Sequence, residues 1–196
     1  MSHSQPLTAR LDRLRERLAS HRTCTDRDAE AVHWAAVAVV LAPAPDAVLL
    51  IRRAERIGDP WSGHMALPGG RREPSDDDLI TTAIRETAEE VGLVLSRDHL
   101  LGTLDDVVPR TPVLPPIAIR PYVFLVPWRP PLTLNPEVAS ARWVDLDRLL
   151  HPGTLHLVRL EIGEESREVA AYQLDDAIVW GMTERVLSGL LEQVQG

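Results

Sequence analysis

Apolar and polar residues change their period several times along the chain, and each change marks an element. Over residues 5–20, leucines at positions 7, 11, 14 and 18 stand among arginines, the three- and four-residue spacing of an amphipathic helix. It predicts an N-terminal helical extension, either a packing element or one facing a second copy in a homodimer. Residues 32–41 (VHWAAVAVVL) and 47–51 (AVLLI) are short aliphatic and β-branched runs around a Pro/Asp-containing turn at 42–46, which predicts a hairpin through the core. Residues 60–70 read as loop and 75–91 as helix, with Gly92 where a helix C-terminal glycine belongs.

Farther along, residues 117–126 (IAIRPYVFLV) read as a strand in which Pro121 indicates an edge or a bulge. Proline-rich stretches at 109–116 and 127–136 flank it without a repeat and predict ordered loops bordering a functional site. Residues 142–144, 156–160 and 168–172 predict further strands. Residues 178–194 predict a closing helix with Val179, Met182, Val186 and Leu190 on one face. No repeat or linker divides the 196 residues, so the expectation is one domain over 1–196, an α/β sandwich around a mixed sheet.

Composition narrows the class. An apolar share of 44% and a charged share of 26% exclude collagen, coiled coil and wholesale disorder. No run approaches the roughly 18 to 20 apolar residues of a membrane span, and the polar start lacks a secretory segment; the expectation is a cytoplasmic protein without a membrane partner. The one cysteine, Cys24, has no second thiol for a disulfide or a metal knuckle. A net charge of -8 argues against nucleic acid, which needs a clustered positive surface. It leaves room for a small anionic substrate, because a divalent metal screens acidic ligands. All 21 basic residues are arginines, which excludes a Schiff-base lysine and a Walker-type loop. Cationic phosphate contacts must come from Arg or His.

The candidate chemistry lies on the helix ending at Val91. At 100° per residue, Glu86, Glu89 and Glu90 share a sector of about 100°, opposite Ile80, Ala83, Ile84, Thr87 and Val91. Such like charges destabilise a helix by a few tenths of a kcal/mol per pair and crowd the negative end of its dipole. Mg²⁺ or Mn²⁺ reverses that sign, since hard cations prefer carboxylate oxygens. A solvated acidic face is the ordinary explanation of such a cluster. The upstream Leu67-Pro68-Gly69-Gly70 changes the reading, because two glycines let backbone pass close to a ligand.

Gly70, five residues, Asp76, eight residues, then Arg85-Glu86-Thr87-Ala88-Glu89-Glu90-Val91-Gly92-Leu93 resembles the Nudix box. That box reads Gly, five residues, Glu, seven residues, Arg-Glu, an aliphatic, any, Glu-Glu, any, Gly, an aliphatic. This chain departs from it in Asp76 for Glu, in one extra spacer residue and in Thr87 for an aliphatic residue. The resemblance implies a Nudix-type α/β/α sandwich with a mixed central sheet and Mg²⁺- or Mn²⁺-dependent hydrolysis of a phosphoanhydride. By position it makes Glu86, Glu89 and Glu90 the catalytic, metal-binding carboxylates, one of which activates water in some readings, with the Gly70 carbonyl a further ligand. Arg85 orients Glu86, an upstream acid pairs with Arg85, and Gly69 and Gly92 give structural support. Asp76 and Asp77 are both candidates for that acid. Asn135-Pro136-Glu137-Val138 and Arg142-Trp143-Val144-Asp145-Leu146 look like the late Nudix loop and strand, with Glu137 a candidate ligand or base.

Within that family the pattern is similar to the coenzyme A pyrophosphatase group. The similarity rests on Leu49-Leu50-Ile51-Arg52-Arg53, on Gly63-His64-Met65-Ala66-Leu67-Pro68-Gly69-Gly70, on the longer spacer after Asp76 and on Trp180-Gly181-Met182-Thr183. Trp61-Ser62 stand where His-Pro is usual, and Leu67 where Phe is. The group's activity would be cleavage of coenzyme A or acyl-coenzyme A to 3′,5′-ADP and (acyl-)4′-phosphopantetheine. Arg52, Arg53 or Arg56 would meet the extra phosphate by forked hydrogen bonds, and Trp61 and His64 would stack on a base or contact phosphate. ADP-ribose, dinucleoside polyphosphates and nucleoside triphosphates are the alternative small-molecule substrates, and a non-catalytic nucleotide sensor is the alternative of another class.

Overall fold

Two apolar strands set the geometry of the fold, β1 (His33–Ala42) and β2 (Ala47–Arg53). Both are buried along most of their length, so they appear in the sequence as near-continuous hydrophobic runs without alternation. The computed structural model describes residues 8–23, 33–56, 62–109, 117–162 and 165–195. β1 and β2 meet as a hairpin but share two register pairs, Leu41 with Val48 and Ala42 with Ala47. Beyond these they part. The opening is filled by β3 (Met65–Ala66) on β2 and β4 (Gly69–Arg71) on β1. The 60–70 stretch expected as loop therefore contributes two short strands; residues 60 and 61 lie outside the described residues.

On its other edge β1 pairs in parallel with β6 (Ile117–Leu125), which pairs antiparallel with β5 (Leu100–Thr103), while β2 pairs antiparallel with β7 (Val138–Asp145). β6 thus lies inside the sheet, and the edge expected from Pro121 is not found; the register shift of the β5–β6 pair falls between Leu100 and Gly102, opposite Phe124 and Val123 rather than at Pro121. Pro121 O accepts from Leu104 N, so the proline's missing donor faces a stretch where pairing lapses between Thr103–Tyr122 and the bridge Val107–Ile119.

Alternate residues of the sheet bury opposite faces. Val39, Leu41, Val48 and Leu50 pack with α1 (Ala9–Ser20), α3 (Leu146–Leu150) and α4 (Gly181–Gln195). Ala36, Ala38, Val40, Leu49 and Ile51 pack with α2 (Leu79–Val91). The result is an α/β/α sandwich on a mixed sheet, as the sequence predicts. A second, antiparallel sheet has the order β10 (Ile178–Trp180), β9 (Glu165–Gln173), β8 (Leu155–Ile162).

Several boundaries differ from expectation: β7 begins at Val138 rather than 142, and β8 and β9 run past 156–160 and 168–172. α2 begins at Leu79, four residues late, because Asp78 caps it by accepting from Thr81 N at 2.9 Å and short acidic side chains favour such local bonds over helix. Residues 178–180 form a strand; the positive φ of Gly181, +71°, turns the chain into α4. α1 starts after the cap Thr8, whose Oγ1 donates to Asp46 at 2.7 Å, and residues 5–7 lie outside the described residues. No helix among the described residues is long and apolar enough to cross a membrane.

Of the two roles open to α1, the structure supplies the first: Leu11 and Leu14 are fully buried within their own chain, and Arg17 donates to Gln193 O at 3.0 Å. Leu14→Ala is expected to lower the unfolding free energy by about 2–5 kcal/mol, independently of protein concentration. Chemical denaturation checks this, and a loss below about 1 kcal/mol would contradict it.

Candidate functional site

The opening between β1 and β2 brings two glycines beneath α2. Gly69 adopts φ +152°, and a Cβ there would stand 2.3 Å from Ala36 O; a Cβ on Gly70 would stand 2.3 Å from Glu86 Oε1. Contact with β1 backbone requires glycine at Gly69, whereas a side chain at Gly70 would displace the Glu86 carboxylate that lies directly over it.

α2 fixes that carboxylate and its neighbours. Its apolar face, Ile80, Ala83 and Val91, is buried on the sheet. Thr87, the departure from the aliphatic pattern, is buried too, and its hydroxyl donates to Ala83 O at 2.7 Å. At the far end Gly92 takes φ +68° and donates to Ala88 O. The proline-rich stretch 127–136, expected to border the site, crosses there: Thr133 N donates to Val91 O and Asn135 N to Glu90 O, satisfying carbonyls that a helix end leaves open.

Arg85 is the hub of the polar face. Its Nε and Nη2 donate to Asp76 Oδ1 and Oδ2, both at 3.0 Å, and its Nη1 donates to Glu86 Oε1 at 2.9 Å and Glu89 Oε2 at 3.2 Å. The choice between Asp76 and Asp77 is thereby resolved for Asp76. It is 3% exposed and also accepts from Glu73 N and Thr82 Oγ1, each at 2.9 Å. The Arg85 guanidinium holds the Asp76 carboxyl well below the usual carboxylate range, against the opposing effect of burial; Asp76 in turn raises the guanidinium.

Glu90 is held differently. It is 4% exposed and accepts from Gly69 N at 2.9 Å. Burial pushes its carboxyl from 4.5 up to about 7, eased by the Gly69 amide and by Arg53, and raised further by Glu86 and Glu137. That shift is about 3 kcal/mol against the ionised form. Glu86 is raised by burial also, with Arg85 opposing. Glu86 and the half-exposed Glu137 thus both act on the buried Glu90 and raise it. Hard oxygen donors such as Glu86 and Glu90, disfavoured as anions by burial, suit a divalent cation. In the arrangement described they are held by Arg85 and by Gly69 N, and among the described residues no three metal-binding side chains converge in a cage.

The profile of the NUDIX domain matches residues 32–169. The chain belongs to the Nudix family. It is an enzyme of that family, a pyrophosphohydrolase. The uncharacterised Nudix hydrolase NudL of Yersinia pestis (strain Pestoides F) is 31% identical over 159 residues, 81% of this chain and 77% of its own length. An uncharacterised protein of Schizosaccharomyces pombe is 46% identical over 110 residues, 54% of this chain; this chain therefore spans one third (33%) of that relative's length. A MutT/nudix family protein of Enterococcus faecalis shares the fold with a TM-score of 0.63 at 19% identity, covering 97% of this chain and 75% of that one. The NUDIX domain of Shewanella oneidensis NrtR, solved with ADP ribose, shares it at 0.51 and 24%, covering 69% and 84%.

Around the Nudix box the remaining residues fall into place unequally. Glu137 approaches Glu90, and its Oε1 accepts from Arg56 Nη2 at 3.0 Å. Arg53 is close enough to act on Glu90. Arg52 Nε donates to Gly63 O at 3.2 Å, one step farther out. His64 meets Trp180 edge to face, with centroids 5.0 Å apart, so two segments more than a hundred residues apart form one contact. Trp61 lies outside the described residues. Sequence reasoning missed Glu73, which bonds Asp76 and raises Glu86, and Arg72, whose Nη2 donates to the Asp76 and Asp77 carbonyls at 3.1 Å. Neither follows a periodicity that would have marked it.

Because the folded pKa of Asp76 lies below its unfolded value of about 4, its stabilisation is complete above that value and is lost as pH falls through the folded one. Asp76→Asn is expected to cost about 3–5 kcal/mol at neutral pH, since it strips a buried partner from Arg85, and to flatten the acid limb of stability against pH. Denaturation from pH 7 to pH 2 measures both, and an unchanged acid slope would contradict the assignment.

Proposed function

We propose that this Nudix enzyme hydrolyses the pyrophosphate linkage of coenzyme A or acyl-coenzyme A, releasing 3′,5′-ADP and (acyl-)4′-phosphopantetheine. Glu86, Glu89, Glu90 and the Gly70 carbonyl, with Glu137, would hold Mg²⁺ or Mn²⁺. The observation that carries the catalytic part is the buried Glu90 carboxylate on Gly69 N beside Glu86 and Glu137, a donor set that costs stability unless a cation joins it. The coenzyme A part is supported by the contact of His64 with Trp180, which unites the pre-box segment with the Trp-Gly-x-Thr segment that suggested this group.

A bound divalent metal would neutralise the pyrophosphate charge and acidify an attacking water. The chain's own residues do the rest. Arg85, anchored by Asp76, sets the rotamers of Glu86 and Glu89 and acts through them, a positioning role. Gly69 N holds Glu90 in place, and Gly70 leaves room above its α-carbon for Glu86. Arg52 and Arg56 reach the substrate phosphates by exchanging Gly63 O and Glu137 for phosphate oxygens, a stronger partner for a guanidinium than a carbonyl; Arg53 adds positive potential behind them. His64, steadied by Trp180, lines the approach.

The test is turnover with Mg²⁺ or Mn²⁺ on coenzyme A, an acyl-coenzyme A, ADP-ribose, dinucleoside polyphosphates and nucleoside triphosphates, with products identified by mass. Coenzyme A and its acyl form are expected to give a 3′,5′-ADP product. Cleavage of ADP-ribose but not coenzyme A would sink the substrate assignment. Glu89→Gln and Glu90→Gln are each expected to lower turnover by about 100-fold, or roughly 2.7 kcal/mol in the barrier. Wild-type turnover in both would sink the metal site.

A further inference from the structure

The main chain at Glu137 is fixed while its side chain stands half in water. Ala54 N donates to Glu137 O at 2.8 Å, Glu137 N to Asn135 Oδ1 at 2.9 Å, and Asn135 N to Glu90 O at 3.1 Å. These bonds hold residue 137 between the end of β2 and the last turn of α2, near enough to Glu90 for its charge to oppose ionisation there. The carboxylate itself is taken by Arg56 Nη2 at 3.0 Å, and both side chains are about half exposed. Arg56 is tethered through its own backbone N–H, which donates to Ser62 Oγ at 2.8 Å. The contrast with Arg85 and the buried Asp76 is one of strength. A forked bond to a buried carboxylate resists exchange, whereas a single exposed contact of this kind changes an equilibrium by at most about 5-fold.

We propose that Arg56 and Glu137 exchange partners together: Glu137 turns to the divalent cation held by Glu86 and Glu90 as Arg56 turns to a substrate phosphate, so that each ligand favours the other. This rests on the metal reading given above. The exchange needs side-chain rotation alone, because the main-chain bonds of both residues are made elsewhere. A cation at Glu137 and a phosphate at Arg56 compete with the same ion pair. Whichever binds first works against that pair, and the second finds it already broken. Such a shared opposing bond is a coupling free energy, equal in both directions. Its size is bounded by the strength of the pair, about 3- to 5-fold.

Mn²⁺ titration, followed by electron paramagnetic resonance of the free ion, reads the exchange without turnover. Glu90→Gln should lose most of the Mn²⁺ affinity, which marks the site. Arg56→Gln should tighten Mn²⁺ by about 3- to 5-fold, a gain that a misfolded variant cannot produce, and Glu137→Gln should weaken it. In the Glu137→Gln background Arg56→Gln should add nothing, because the bond it removes is already absent. A tightening that persists there would be the general effect of deleting a positive charge and would overturn the proposal. Saturating methylenediphosphonate, a pyrophosphate analogue that water does not cleave, binds metal itself and should tighten Mn²⁺ in every form. The wild type should gain about 3- to 5-fold more from it than Arg56→Gln does, and equal gains would contradict the coupling. Mn²⁺ affinity that survives Glu90→Gln intact would sink the metal reading and the exchange together. With that loss observed, unchanged affinity in Arg56→Gln or in Glu137→Gln would sink the exchange alone.

Discussion

The two-pronged bond between Arg85 and Asp76 is the constraint on which the site depends. Asp76 is buried in the turn before α2, and Arg85 lies in the second turn of that helix, so their contact ties the turn to the helix. The same guanidinium reaches Glu86, Glu89 and the Arg71 carbonyl. One cation thereby orients two carboxylates and holds the strand that carries the glycines against them. A lysine would not serve, because a point charge cannot grip Asp76 with two parallel bonds and still present a third edge to Glu86.

The sheet supplies the complementary constraint. If β1 and β2 stayed paired beyond Leu41 and Val48, no space would remain for residues 65–71. Their separation lets β3 and β4 enter, and Ala38 N donates to Pro68 O at 2.8 Å to hold the connecting residues in place. Gly69 N is then free of the ladder and points at Glu90. The burial that makes Glu90 costly as an anion and the amide that stabilises it come from the same wedge.

Much of this was legible in the sequence because it is periodic. The helix spacing marked Glu86, Glu89 and Glu90 as neighbours, and alternating burial accounts for both layers of core. On a helical wheel, however, the three carboxylates are equivalent, whereas in the fold Glu89 is half exposed and Glu90 buried. Gly69 from one side and Asn135 from the other make that difference, and neither is a matter of helical period. Pro121 pointed to an edge or a bulge because either spares a missing donor; pairing on both sides of β6 excludes the edge, and the lapse in pairing between Thr103 and Val107 spares the donor. Residues 178–180 share an apolar pattern with α4, and a three-residue strand is too short for alternation to distinguish it from the first turn of a helix. The extra spacer residue before Arg85 made Asp76 and Asp77 equally credible, and it is the buried Asp76 that takes both bonds from Arg85.

A double-mutant cycle on catalysis tests most directly whether Asp76 and Arg85 act as one device. Asp76→Asn, Arg85→Gln and the double variant would be compared by kcat/KM on the substrate that the panel identifies, with folding checked at the assay temperature. If the bond organises the site, each single change lowers kcat/KM by roughly 10- to 100-fold, and the double variant is no worse than the poorer single one. Losses that multiply, or full activity in Asp76→Asn, would contradict it.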